Sequence, residues 1–309
     1  MARLRTLIAL AAVGSVALAA CGGDGDAAST STVDLIEFST VNIIATDTPE
    51  SQLLAEIYAQ SLENQSFRVG RKDPVSSRAE AYARVSDGRA DLTPELTASL
   101  LAFVADAEGG DAAATEIPVD AAEQIATLGE LLPDTLTVGD PSPVDASGVL
   151  ACSTSAVEQW SLATVADLAK VAGEARIAGP AGFDTAAPYG LAGYGEAYDT
   201  EFPGFVESAD PAAAVVAGDA DCAAVRRTDA AIVLDALLAL DEDETAVPED
   251  ALVALIRAEK ATSELLAVLS QVDAGLTTEV VRALLVKVER NGGSYQVVAT
   301  EYLSSRSGG

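Results

Sequence analysis

The tripeptide Thr-Pro-Glu occurs twice, at residues 48–50 and 93–95, and each copy follows a short apolar run. Threonine offers an N-cap oxygen, proline has the backbone angle of a first helical residue, and glutamate suits the positive end of the helix dipole. The pattern predicts two helix N-termini directly after strands. In an open sheet such junctions lie where ligands bind, and their free N–H groups can hold a carboxylate or another polar group. Simple helix capping is the alternative explanation for each copy.

The sequence shows no catalytic or metal-binding pattern. It contains no histidine, which removes the usual general base, the Ser-His and Cys-His pairs and the common zinc ligands. Its 48 acidic residues are spread along the chain and give no specific catalytic pair. We therefore expect a protein that is not an enzyme and that uses no cofactor and no metal.

The formal net charge of the 309 residues is −30 at pH 7. A negative field of this size repels nucleic-acid phosphates and anionic lipid headgroups, so the protein surface is not expected to bind either. The apolar fraction of 49% is sufficient to bury a core, which argues against a disordered chain.

The N-terminus resembles a bacterial lipoprotein signal. Arg3 and Arg5 precede an apolar run that is too short to span a bilayer ~30 Å thick, and small residues precede Cys21. The resemblance implies that residues 1–20 are removed and that lipidated Cys21 anchors the protein to the outer face of the cytoplasmic membrane. The alternative is an ordinary secretory signal with a chance cysteine.

Residues 21–34 are rich in Gly, Asp, Ser and Thr and are expected to form a flexible tether after the anchor. The other two cysteines, Cys152 and Cys222, lie in the exported part of the chain, where conditions are oxidising. One disulfide between them is expected, and two buried thiols are the alternative.

From about residue 35, short apolar runs alternate with amphipathic segments, which indicates an α/β fold with largely parallel sheets. Strands are predicted at 42–45, 67–69, 90–92, 135–138, 148–152, 175–178, 221–225 and 252–256. Helices are predicted to begin at Thr48, Ser76, Thr93, Asp120, Thr164, Gly190, Asp210, Ala261, Thr278 and Ser294.

Five short motifs within residues 40–303 resemble the substrate-binding proteins of osmoprotectant ABC transporters, which take up glycine betaine, choline, carnitine and proline betaine. Residues 88–97 are similar to the family's Gly-x-x-Asp-Leu-x-Pro-Glu-Tyr-Thr. The other matches are Glu50, at the glutamate of the family's Phe-Thr-Glu, residues 162–168, residues 190–199, and Thr228-Asp229.

The resemblance implies a two-lobed clamp of the type II periplasmic-binding-protein kind, with two crossover strands and the ligand held between the lobes. Lobe 1 is expected to comprise residues 35–140 and 231–309, and lobe 2 residues 141–230. The segment 141–145 and the stretch near Thr228 are the expected hinges.

The family encloses a quaternary ammonium group in a cage of tyrosines, and several family positions differ in this chain. Leu96 and Gly148 stand at tyrosine positions, while Ala187 and Tyr189 replace an arginine and an aspartate. The residues expected around the ligand are Thr46, Asp47, Thr48, Glu95, Thr97, Ser147, Tyr189, Arg226, Arg227, Thr228 and Asp229.

Three kinds of contact are expected from this set. Tyr189 offers a ring face, Arg226 or Arg227 can clamp a carboxylate, and Asp47 can face a cationic amine. A solvated or ion-paired arginine and a capping aspartate are the alternatives for the charged residues.

Together these features predict an extracytoplasmic solute-binding lipoprotein of an ABC importer. It captures a small polar or zwitterionic solute and delivers it to a permease, with permease and ATPase subunits as its partners and no nucleic acid. We expect it to be a monomer. The alternative is an envelope interaction lipoprotein with the same clamp fold that no longer binds an osmoprotectant.

Overall fold

Two five-stranded sheets make up the computed structural model, which describes residues 40–107, 117–186, 190–242 and 247–306. The first sheet consists of β1 (Val41–Ile43), β2 (Val69–Arg71), β3 (Leu92–Leu96), β4 (Leu136–Val138) and β10 (Leu252–Arg257). The second sheet consists of β5 (Gly148–Cys152), β6 (Arg176–Gly179), β7 (Gly204–Glu207), β8 (Cys222–Arg226) and β9 (Leu238–Ala239).

Helices lie between most of these strands along the chain. Those in the first half are α1 (Pro49–Asn64), α2 (Arg78–Ser86), α3 (Thr97–Ala107), α4 (Ala121–Leu131), α5 (Thr154–Trp160) and α6 (Val165–Ala169). The others are α7 (Leu191–Ala197), α8 (Pro211–Ala217), α9 (Ala231–Leu234), α10 (Ser263–Asp273), α11 (Thr278–Arg290) and α12 (Tyr295–Arg306). Within the described ranges, none of the helices has the length and apolar character needed to cross a membrane.

Each sheet combines parallel and antiparallel pairs. In the first sheet, ordered β2-β1-β3-β10-β4, β1 runs parallel to β2 and β3, whereas β10 runs antiparallel to β3 and β4. In the second sheet, ordered β7-β6-β8-β5-β9, β6 runs parallel to β7 and β8, whereas β5 runs antiparallel to β8 and β9. The predicted α/β architecture is confirmed, and its sheets are mixed.

The chain leaves the first sheet after β4 and returns to it at β10. The two connections between the sheets run side by side and are joined by backbone hydrogen bonds. Ala146 N donates to Asp250 O at 3.0 Å, and Ser142 N donates to Leu252 O at 2.9 Å. The segment 141–145, expected as a hinge, lies in the first connection. Because β9 pairs with β5, the second sheet extends to residue 239, beyond the boundary at 230 that the sequence predicted.

Helix α1 begins at the first Thr-Pro-Glu, as predicted. The Thr48 side chain accepts a hydrogen bond from Ser51 N at 3.3 Å, and Pro49 is the first helical residue. The helix then buries one apolar face, in which Leu53, Ile57 and other residues are no more than 2% exposed. Capping and burial together fix the helix N-terminus at the end of β1.

The second Thr-Pro-Glu does not start a helix, so this prediction is wrong. Residues 93–95 lie inside β3, and α3 begins only at Thr97. Pro94 is opposite Ala254 of β10, whose carbonyl accepts from Gly139 N at 3.0 Å on the far side. Pro94 N therefore points away from β10, toward β1, which pairs with β3 only at Leu92. Proline's missing N–H thus costs no ladder hydrogen bond here.

Cys152 and Cys222 lie opposite each other in the antiparallel pair of β5 and β8. The structure joins their sulfur atoms, which are 2.01 Å apart, in a disulfide across the middle of the second sheet. Both side chains are fully buried.

Candidate functional site

A cavity of about 410 Å³ opens between elements that belong to both sheets. The first sheet contributes the N-termini of α1 and α2 and the end of β3, while the second contributes the turn that follows β8. Seven of the residues predicted around a ligand line it, namely Thr46, Asp47, Thr48, Glu95, Arg226, Thr228 and Asp229.

Three other predicted residues do not line the cavity. Thr97 is fully buried, and its hydroxyl oxygen accepts from Ala251 N at 3.0 Å, so it fastens α3 to the residue that precedes β10. Arg227 is not among the residues that line the cavity; its Nε donates to Ser147 Oγ at 3.1 Å and lies 3.3 Å from Asp145 Oδ2. Thr97, Ser147 and Arg227 thus make structural contacts in this structure, and their role as ligand contacts stays a prediction.

Tyr189, Ala187 and Cys21 lie outside the described residues, as does the tether. Tyr194, on the neighbouring helix α7, is 2% exposed, and its hydroxyl donates to Glu242 Oε1 at 2.9 Å. Tyr194 therefore packs in the second core and does not present a ring to the cavity.

The N-terminus of α1 forms a ring of hydroxyl groups at one side of the cavity. Thr46 Oγ1 and Thr48 Oγ1 are 3.1 Å apart, and Ser51 Oγ accepts from Thr46 N at 3.0 Å. These contacts follow from the helix start, where side-chain oxygens satisfy N–H groups that lack helical partners. Their effect is to fix the hydroxyl groups close to Glu50.

Glu50 connects the two sides of the cavity. Thr228, in the turn after β8, donates from Oγ1 to Glu50 Oε1 at 2.5 Å. Burial raises the pKa of Glu50, and the positive charge of Arg226 and the Thr228 hydrogen bond oppose that increase. A partly desolvated carboxyl group of this kind gains from a nearby cation.

Glu95 and Arg78 form an ion pair at the floor of the cavity. Arg78 Nε lies 2.9 Å from Glu95 Oε2, which also accepts from Leu96 N at 3.3 Å. Burial raises the pKa of Glu95, and the charge of Arg78 works against that rise. Because the pair is internally compensated, it shapes the cavity without adding net charge.

Arg226 connects the cavity to the segments that join the sheets. Its Nη1 donates to Ala146 O at 2.9 Å and lies 3.4 Å from Asp250 Oδ2. Asp250 is buried and also accepts from Ser99 N and Ser99 Oγ, at 3.0 and 2.5 Å. The position of Arg226 therefore depends on both connections.

Both charged and apolar residues line the cavity. Its charged lining residues are five carboxylates and two guanidinium groups, listed here as Asp47, Glu50, Glu95, Asp229, Glu289, Arg78 and Arg226. The apolar lining comprises Leu54, Leu96, Leu252, Leu285 and the prolines. Among the described lining residues there is no aromatic ring, and in the described part of the chain no cluster of metal-binding side chains is present.

Sequence reasoning missed several lining residues. Glu50 was recognised through its motif but not placed at the ligand, and Ser76, Ser77 and Arg78 were seen only as a helix start. The predicted start at Ser76 lies one residue before the observed N-cap Ser77, whose side chain accepts from Glu80 N. No local pattern indicates that Arg78 reaches Glu95, because that contact depends on how α2 lies beside β3.

Solved structures of solute-binding proteins share this fold. A crystal structure described as a glycine betaine/carnitine/choline ABC transporter matches with a TM-score of 0.73 and 18% identity, covering 86% of this chain and 97% of that one. Apo YehZ from Escherichia coli gives a TM-score of 0.68 and 20% identity, with coverages of 87% and 99%. Lactococcal OpuAC, closed around glycine betaine, gives 0.55 and 13%, with coverages of 87% and 96%.

A search of curated protein sequences finds no match. The family profile described as the substrate-binding domain of ABC-type glycine betaine transport systems, OpuAC, matches residues 39–305. That range contains both sheets, the two connections and every described residue of the cavity. The chain therefore belongs to this family of substrate-binding domains of ABC importers.

Proposed function

We propose that the protein is the lipid-anchored receptor of an ABC importer, located on the outer face of the cytoplasmic membrane. It captures a small polar or zwitterionic solute, of the osmoprotectant class suggested by its family, and delivers it to a membrane permease. It performs no chemistry on the solute and acts as a monomer. Family membership supports the receptor role, while the anchor, the solute and the permease belong to the proposal.

The observation that carries this proposal is the cavity between elements of the two sheets. Its volume of about 410 Å³ falls within the range of small-molecule sites, and polar groups from both sides converge on it. A cavity filled by the protein's own side chains would instead have favoured an interaction protein that no longer binds solute.

The two sheets are proposed to act as lobes that close on the solute. Two connections, from β4 to β5 and from β9 to β10, link the described parts of the two sheets. Their hydrogen-bonded segments, 142–146 and 250–252, are suited to act as the hinge. Closure is then the state that a permease recognises, since a ligand that contacts both lobes favours it over the open state.

The charges at the cavity suit a solute with opposite charges at its two ends. Glu50, Asp47 and Asp229 can face a positive group, and Arg226 can turn toward a carboxylate. Zwitterions such as betaines and amino acids have this pattern.

Calorimetric titration of the full chain, purified in detergent, tests the proposal. The panel is glycine betaine, proline betaine, carnitine, choline and common amino acids, and we expect one-site binding of at least one of them in the micromolar range. Arg226→Ala should weaken that binding, whereas Arg176→Ala, at the far end of the second sheet beside Asp221, should not. Absence of heat with every solute would reject the receptor and leave the envelope interaction protein.

A further inference from the structure

We infer that the cavity prefers a solute whose positive nitrogen still carries at least one N–H bond over one whose nitrogen is fully methylated. This inference rests on the proposed function, because it concerns the solute of the same cavity. It is carried by the acceptor groups that line the cavity and by the partners those groups already have.

Both arginines of the cavity are already compensated by carboxylates of the protein. Arg78 pairs with Glu95 at 2.9 Å, and Arg226 lies 3.4 Å from Asp250 and close to Glu50. By contrast, none of the ion pairs among the described residues includes Asp47, Asp229 or Glu289. The cavity therefore holds an excess of negative groups, which favours a cation.

The cavity offers many hydrogen-bond acceptors where a cation would lie. The carboxylates of Asp47, Glu50 and Asp229 line the same cavity as the hydroxyl groups of Thr46 and Thr48. An ammonium group with N–H bonds can donate to these oxygens, and such charge-assisted hydrogen bonds are among the stronger ones in proteins.

A fully methylated nitrogen cannot use these acceptors. It has no N–H to donate, so it would displace water from Glu50 and its neighbours without replacing the lost hydrogen bonds. Aromatic ring faces, which attract a cation without needing a donor, suit such a group better. The described lining residues contribute carboxylates and hydroxyls at this place, and burial has already raised the pKa of Glu50.

Matched pairs of solutes test the inference, since only the methylation of the nitrogen differs within each pair. The pairs are glycine and glycine betaine, ethanolamine and choline, and 4-aminobutyrate and its trimethylated form, titrated calorimetrically into the full chain. We expect the unmethylated member to bind at least tenfold more tightly in every pair that binds.

The outcomes separate this inference from the proposed function. Equal or tighter binding of the methylated members would overturn the inference and leave the solute receptor in place. No binding in any pair and no binding of the wider panel would overturn both.

Variants locate the preference in the cavity. Glu50→Gln and Asp47→Asn should narrow the difference between the paired solutes, and Asp47 is exposed, so its replacement leaves the fold intact. Glu123→Gln, on the exposed side of α4 and outside the cavity, is the matched control and should leave the preference unchanged. An unaltered preference in both cavity variants would place the discrimination elsewhere and contradict the inference.

Discussion

Asp273, at the end of α10, holds a carboxyl group in the first core. It is 3% exposed, and one of its oxygens accepts from the hydroxyl group of fully buried Tyr58 at 2.7 Å. Burial raises the pKa of Asp273 from 3.8 to about 7, against the Tyr58 hydrogen bond and with a smaller contribution from the charge of Asp140. Below about pH 7, the folded protein therefore favours the neutral acid.

This preference makes the stability of the protein depend on pH. Because the pKa of Asp273 is higher in the folded state than in the unfolded state, protonation of this carboxyl group stabilises the folded protein. This stabilisation is fully present below the unfolded pKa of 3.8 and is lost as the pH rises through about 7. Asp273→Asn cannot ionise. Its free energy of unfolding, relative to the unchanged protein, should therefore rise by up to about 4 kcal/mol from pH 4 to pH 8, because one pKa unit equals ~1.4 kcal/mol.

Urea denaturation at several pH values measures this difference. Asp106→Asn, on an exposed position of α3, is the matched control and should follow the unchanged protein at every pH. A constant difference between Asp273→Asn and the unchanged protein would show that Asp273 is ionised in the folded state across this range.

Thr97 provides a second test at the level of single residues. Thr97→Val keeps the shape of the side chain but leaves the buried Ala251 N–H without its acceptor, which should cost about 1–3 kcal/mol of stability. Because Thr97 does not line the cavity, solute affinity should be retained. Denaturation measures the loss of stability, and calorimetry measures the solute affinity. Both are applied to Thr97→Val and to Thr97→Ser, which keeps the hydroxyl group. If Thr97→Val loses affinity for the solute but keeps its full stability, Thr97 is a ligand contact.

Among the secondary-structure elements, the two central antiparallel strands β5 and β8 share the Cys152–Cys222 disulfide. The bond closes a loop with a sequence separation of 70 residues, and restriction of the unfolded chain predicts a contribution of roughly 4 kcal/mol. We expect the double variant Cys152→Ala, Cys222→Ala to unfold at lower denaturant concentration by an amount of this order. A reducing agent should lower the stability of the unchanged protein and leave that of the variant as it is. Equal stability of both proteins without reductant would show that the thiols are not joined.

Elements with strong local signals were predicted well from the sequence. Helix α1 has a cap, a proline and a continuous apolar face, and β5 was predicted at its observed residues, Gly148–Cys152. The start of α6 at Thr164 was also predicted, and Thr164 and Asp167 form a capping box there in the structure. In these segments the local chain and the global fold favour the same structure.

Elements that depend on distant partners were not predicted. The second Thr-Pro-Glu has the same local signals as the first, but pairing with β10, about 160 residues later, places it in β3. The short elements α5, α9, β7 and β9 were missed, and β9 has only two residues, held by pairing with β5. Tertiary contacts override local propensity in such segments.

Only part of the candidate site was predicted, because some of its residues also depend on contacts between distant segments. Thr46, Asp47 and Thr48 follow from the end of β1, and Arg226, Thr228 and Asp229 from the end of β8. Arg78 and Glu289 come from helices whose side chains reach the cavity only after α2 and α11 have packed on the sheet, so no spacing in the sequence indicates them.

At the scale of the whole molecule, the cavity lies between elements that belong to the two sheets. Thr228 donates across it to Glu50, and Arg226 reaches the connections through Ala146 and Asp250. A solute that binds Glu50 or Arg226 therefore competes with contacts that hold the two sides at their present separation. Under the proposed function, binding and closure are therefore expected to be coupled, because the solute changes the balance between the two states.

The proposed lipid anchor would keep the protein at the membrane of its permease. A chain of net charge −30 has no electrostatic attraction to anionic headgroups, so its surface cannot supply the membrane affinity. Lipid at Cys21 would supply it, because each buried CH₂ group contributes about 0.8 kcal/mol. Membrane attachment should therefore depend on this one residue.

Cys21→Ser tests that dependence directly in cells given labelled fatty acid. The unchanged protein should incorporate the label and sediment with membranes, whereas the variant should carry no label and remain in the aqueous fraction. Cys152→Ala, Cys222→Ala keeps Cys21 and is the matched control for loss of thiols, so it should still be labelled. If the unchanged protein is exported but carries no fatty-acid label, its N-terminus is an ordinary secretory signal. The receptor would then reach its permease by diffusion instead of by anchoring.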